Sequence, residues 1–115
     1  MSNRPRTLAQ AIDGTEAQFQ DAVVELAERL GWTIAHTHDQ RRSPASMTGY
    51  PDLVLYPPEG MNSPILFREL KSADGRLSEA QERWGQRLKN LGEDWGVWRP
   101  AHWPQIRRIL SGRVA

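Results

Sequence analysis

The 115-residue sequence contains no cysteine. Disulfides, zinc-thiolate centres and thiol nucleophiles are excluded together, and nothing calls for an oxidising compartment. Long apolar runs are also missing, so the chain offers no candidate membrane span. Its first residues lack the apolar core of a signal peptide, and a cytoplasmic location is the expectation. A large excess of positive charge is absent too: fifteen Lys and Arg stand against fourteen Asp and Glu, a formal net charge of +1. Charge alone therefore permits a nucleic-acid partner without demanding one. What is present suits one compact domain: 38% hydrophobic residues, 25% charged residues, and five Trp that bring large apolar surfaces. The charge is unevenly spread. Residues 1–60 carry five basic against eight acidic side chains, and residues 61–115 carry ten against six.

Residues 1–14 read as a tail or a short extra helix ending in the turn signal Asp13-Gly14, and residues 15–115 as a single domain. Thr15 with Gln18 three residues on makes a capping box, and Phe19, Val23, Leu26 and Leu30 mark one stripe of a helix that Gly31 ends. Residues 32–37 are β-prone. A polar loop of about a dozen residues follows, and loops of that length in compact domains tend to be functional or mobile. Residues 52–56 and 65–71 form the next two strands. Ser78 and Gln81 make a second capping box, opening a helix that turns Trp84, Leu88 and Leu91 inward and stops at Gly92. Residues 95–98 form a fourth strand, joined to the third by a parallel crossover, and a last helix starts near His102. The order predicts an α/β fold, a mixed sheet with helices on its faces.

Two apolar strands in the middle of the chain carry the chemistry. Asp52 opens one, and Glu69 and Lys71 close the other at a spacing of two residues, so both point to one face of the sheet. If the strands form a hairpin, Asp52 and Glu69 become neighbours across the ladder. Buried charge is costly unless it is paired or bound to a metal. Two carboxylates and an ammonium crowded into one place therefore suggest a divalent-metal site for phosphodiester hydrolysis. Oxygen donors suit Mg²⁺ or Mn²⁺ rather than zinc.

Pro51-Asp52 followed after one hairpin by Glu69-Leu70-Lys71 resembles the PD-(D/E)xK nuclease signature, and the element order resembles the αβββαβ restriction-endonuclease-like core. More narrowly, Gly49-Tyr50-Pro51-Asp52-Leu53, Glu69-Leu70-Lys71 and Gly75-Arg76-Leu77-Ser78-Glu79-Ala80-Gln81 resemble the virus-type replication-repair nuclease (VRR-NUC) family. The resemblance implies that Asp52, Glu69, the Leu70 carbonyl and Glu16 bind the metal. It implies that Lys71 positions or activates the attacking water, that Gln81 belongs to the catalytic set, and that the products carry 5′-phosphate and 3′-hydroxyl ends. A homodimer is the matching assembly.

The implied function is a metal-dependent, structure-directed DNA nuclease acting on branched substrates such as Holliday junctions or flaps. His36, Arg41, Arg42, Gly49 and Arg76 are the candidate nucleic-acid contacts, with His38 a weaker one. Structural readings compete at each position. Asp52 could be a turn residue, Glu69 and Lys71 a surface ion pair worth about 0.2–1 kcal/mol, and Glu16 and Gln81 only helix-start residues. The tryptophans read mainly as core, with base stacking or a dimer interface as the other use of Trp98 and Trp103. The alternative function is a non-catalytic nucleic-acid-binding or assembly protein on the same fold. Hydrolysis of a small phosphoester would need a closed pocket, of which the sequence shows no sign.

Overall fold

A computed structural model describes residues 15–36 and 45–112. In chain order these form α1 (Glu16–Arg29), β1 (Thr33–His36), a short 3-10 helix (Ala45–Met47), β2 (Leu53–Tyr56), β3 (Leu66–Leu70), α2 (Glu79–Asn90), β4 (Asp94–Trp98), a second 3-10 helix (Pro100–His102) and α3 (Trp103–Leu110). The strands make one sheet in the order β1-β2-β3-β4. The first three are antiparallel neighbours, and β4 runs parallel to β3 after the crossover through α2. This is the mixed αβββαβ arrangement that the sequence predicts. Residues 1–14 and 37–44 lie outside the described residues, and with them the reading of an N-terminal tail or helix and the positions of His38, Arg41 and Arg42.

Both capping boxes form. Thr15 Oγ1 accepts from Gln18 N while Gln18 Oε1 accepts from Thr15 N, and Ser78 and Gln81 do the same. Each box satisfies two backbone groups that a helix start leaves without intrahelical partners.

Alternation along the strands sorts the sheet into two faces. Leu53 and Leu55 of β2, Leu66 and Leu70 of β3, and Trp98 of β4 join Phe19, Val23 and Ala27 of α1 and Ile106 and Leu110 of α3 in one buried cluster. The opposite face is covered by α2, which lies close: a Cβ at Gly85 would sit 2.5 Å from the Trp95 ring, so only glycine fits there. Trp32 ties the layers together, its indole Nε1 donating to the Leu110 carbonyl at 2.8 Å in a buried bond. That carbonyl belongs to the last turn of α3, where acceptors lack intrahelical donors.

Several side chains depart from the apolar pattern, Leu91, Ile109 and Arg68 among them. Leu91 is 66% exposed, because it occupies the C-cap of α2, where the helix has turned past the sheet. Ile109 is also exposed, one position off the buried Ile106–Leu110 stripe. Arg68 is buried within the α1 and α3 face. Trp98 is buried with the Arg68 guanidinium over its ring, which leaves it no face for base stacking, and Trp103 packs partly buried against the core.

We expect Trp32→Phe, which keeps an aromatic ring but leaves the Leu110 carbonyl without its donor, to destabilise the fold by about 1–3 kcal/mol. Urea unfolding should show a lower midpoint with an unchanged slope.

Candidate active site

The hairpin register pairs Leu53 with Arg68, so one step further Asp52 comes opposite Glu69. Both point to the α2 side, because Leu53 and Arg68 point to the other. Asp52 is held by the backbone, its Oδ2 accepting from Leu70 N at 2.9 Å. Glu69 is only 2% exposed, and its Oε1 accepts from Gln81 Nε2 at 2.8 Å. Burial pushes the Glu69 carboxyl up to about 9, and the Asp52 carboxylate, within hydrogen-bonding reach, pushes the same way. Lys71 opposes the shift and Glu16 adds to it. Asp52, Glu69, Lys71 and Glu16 thus share one electrostatic environment.

Lys71 follows the last residue of β3, and its backbone N–H donates to the Trp98 carbonyl at 3.1 Å. Its side-chain stem runs close to Gly75, where a Cβ would meet Lys71 Cδ at 3.3 Å. The turn between them is clamped by Arg99, whose Nη1 donates to the carbonyls of Ser72 at 2.8 Å and Gly75 at 2.6 Å. Glu16 reaches the same turn from the start of α1, its Oε1 accepting from Ser72 N at 3.3 Å. Arg99 is the residue that sequence reasoning missed. An arginine before a proline has no local signature, and its function depends on the parallel pairing that brings the end of β4 beside the end of β3.

Gln81 does two things with one amide. Its Oε1 accepts from Ser78 N to complete the cap, and its Nε2 donates to Glu69. The residue before it, Ala80, is packed against Gly49. A Cβ at Gly49 would lie 2.5–2.7 Å from Ala80 atoms, and the backbone there has a φ of +90°, so glycine is required twice over. Gly49 therefore seats the start of α2 against the segment that leads through Asp52 into β2. Its nucleic-acid role has this structural explanation beside it.

The other candidates are placed differently. His36 ends β1 opposite Leu53, at the sheet end that holds Asp52 but aligned with the face that α1 covers. Arg76 is exposed in the segment between the Lys71 turn and α2. Arg41 and Arg42 belong to the undescribed segment. Among the described residues no three His, Asp or Glu side chains close up into a metal-holding group. Glu16 accepts from Ser72 N, and its charge acts on Glu69 of the Asp52–Glu69 pair.

The pair itself fits a hard divalent cation. Its donors are all oxygen, and a buried carboxylate whose ionised form is opposed by a second carboxylate is relieved by a cation between them.

Protonated Glu69 suits this dry site and ionised Glu69 does not, so the folded protein binds a proton that the unfolded chain releases above its ordinary value of 4.5. The associated stability is fully present below pH 4.5 and is lost as pH rises through about 9. We expect chemical denaturation in the presence of a chelator to show stability falling over that window. Glu69→Gln should flatten the profile, and Mg²⁺ or Mn²⁺ should reduce the fall in the wild type.

Comparison with known proteins bears on the family and the fold. A family model described as "VRR-NUC domain" matches residues 6–101. A solved chain described as "VRR_NUC domain" superposes with a TM-score of 0.60 at 24% identity, covering 84% of this chain and 96% of that one, a likeness of fold. No curated protein matches the chain. The family match spans most of the sequence and contains Asp52, Glu69, Lys71 and Gln81. The chain belongs to the VRR-NUC family, and the activity that membership implies is that of a nuclease.

Proposed function

We propose that the protein is a Mg²⁺- or Mn²⁺-dependent deoxyribonuclease that hydrolyses phosphodiester bonds with an activated water and is directed to branched DNA such as Holliday junctions or flaps. The observation that carries the reading is the Asp52–Glu69 pair, one acid fixed by Leu70 N and the other buried and held by Gln81, with Lys71 on the adjoining turn. An acidic pair of this kind, with one member buried, has no purpose in a fold kept for shape alone, since apolar residues would stabilise it better.

Asp52, Glu69 and the Leu70 carbonyl would hold the cation, with Glu16 adding a third carboxylate from the helix start. When bound, the cation supplies Lewis acidity at the scissile phosphate and lowers the pKa of water. Gln81 keeps Glu69 turned toward Asp52. Lys71, its stem steadied by the Gly75 turn, brings an ammonium to the developing negative charge of the transition state and helps position the attacking water. Arg99 keeps that turn in place from below. Arg76, and Arg41 and Arg42 of the segment before β2, are read as phosphate contacts that position the substrate. A chain of this size covers little of a duplex, so a homodimer presenting two sites to two strands belongs to the reading.

Labelled flaps, four-way junctions, nicked duplex and linear strands, incubated with Mg²⁺, Mn²⁺ or chelator, test the proposal. Cleavage should require the metal and favour branched substrates, and Lys71→Ala should slow it by at least about a hundredfold. Absence of cutting with every metal, or full activity in Lys71→Ala, would show the site to be non-catalytic. Light scattering of the same protein tests the dimer.

A further inference from the structure

Beyond Gln81, the outer surface of α2 borders a groove that the chemistry above does not use. Its volume is about 410 Å³. Small and polar residues of the 45–48 segment form one wall, and Ala80, Arg83, Trp84 and Arg87 form the other. The groove begins beside the acidic pair: Ala80 precedes Gln81, which holds Glu69, and Thr48 precedes Gly49, which is packed on Ala80.

Its α2 wall carries two arginines and an aromatic ring. The Arg87 guanidinium lies 5.0 Å from the centre of the Trp84 ring. That ring is fixed in turn by the edge of Tyr50, at a centroid distance of 4.9 Å and an angle of 86°. Arg83 is 73% exposed, and its ion pair to Glu79 at 3.9 Å joins two solvated side chains, a weak contact that a phosphate can replace. An aromatic–guanidinium contact next to a second, solvent-exposed guanidinium is the chemistry that binds an unstacked base together with its phosphate. A paired base cannot use it, because its faces are already covered by its neighbours. The small side chains opposite leave room for a planar ring and offer few donors with which to read its edges.

We propose that this groove binds an unpaired nucleotide segment of the substrate, with a base on the Arg87–Trp84 stack and a phosphate on Arg83. This rests on the nuclease reading only in making the segment the one that flanks the scissile bond. A strand that must supply unpaired nucleotides beside the cut directs the protein to flaps and splayed junction arms rather than to intact duplex.

The test is fluorescence anisotropy of labelled oligothymidylate about 8 nucleotides long, titrated with the full chain in chelator at several salt concentrations. Arg83→Ala and Arg87→Ala should each weaken binding about fivefold or more. Arg83→Ala should also flatten the dependence of log affinity on log salt by about 0.7. Arg87→Lys should keep the salt slope yet recover only part of the affinity, since an ammonium cannot replace a stacking plane. Arg107→Ala and Arg108→Ala, exposed on α3, should bind as wild type, and thermal unfolding should show all these surface variants folded. Binding unaffected by Arg83→Ala and Arg87→Ala would overturn the groove, as would blunt duplex bound as tightly and with the same sensitivity to Arg87→Ala. The two proposals fail separately. Binding that depends on Arg83 and Arg87 without cleavage on any substrate removes the nuclease reading and keeps the groove. Cleavage that depends on Lys71 with binding indifferent to both arginines does the reverse.

Discussion

The structure turns on a carboxylate that is hard to ionise where it stands. Glu69 is almost fully buried, and it faces a second carboxylate across the β2–β3 ladder. Removing a charge from water is expensive, and a like charge nearby adds to the expense. The neighbouring structure limits that expense without abolishing it. Gln81 donates one hydrogen bond to Glu69, Lys71 stands close enough to lower its pKa, and the backbone of Leu70 takes up one oxygen of Asp52. Each of these partners sits at the end of a regular element or in the turn that follows. The geometry of the pair is therefore set by strand register and helix position together.

Local and long-range order meet in α2. A capping box is a device of four residues, readable in any sequence, and here it forms as expected from Ser78 and Gln81. The amide that completes the cap with its oxygen keeps its nitrogen to donate, and β3 lies where that nitrogen reaches Glu69. The approach depends on two glycines. Gly85 lets α2 lie against Trp95, and Gly49 lets the segment leading to Asp52 lie against Ala80. Enlarging either would lift the helix and draw the amide away from the acid, so residues remote from the reaction control its geometry.

Much of this was legible from sequence, and the reasons separate by range. The helix starts follow from capping chemistry, the strands from alternation, and the neighbouring positions of Asp52 and Glu69 from the two-residue period of a hairpin in the right register. What was not legible is tertiary. Nothing local marks Arg99 as the clamp on the Lys71 turn, because its acceptors lie twenty-four and twenty-seven residues away. Gly49 stood out by its place in the motif, yet its close approach to Ala80 becomes visible only with the chain folded. Nothing local marks the contact of Glu16 with Ser72 N either: the start of α1 comes up against the turn after β3, from where its charge also acts on Glu69.

The neighbouring residue of β3 shows what an internally compensated charge looks like in the same sheet. Arg68 is also buried, on the opposite face. Burial lowers its pKa, while its hydrogen bond to Asp94 acts against that shift. Its guanidinium donates to the Asp94 carbonyl at 2.7 Å and the Asp94 carboxylate at 2.8 Å, and lies over the Trp98 ring. Only its Nε lacks a partner. The fold thus supplies a buried cation with a counter-charge, a carbonyl and an aromatic face. One residue further along the strand, a buried acid faces another acid. Two adjacent positions on one strand, equally sheltered from water, are treated in opposite ways. Selection for stability alone accounts for Arg68; it does not account for Glu69, whose ionised form the chain's own residues leave disfavoured.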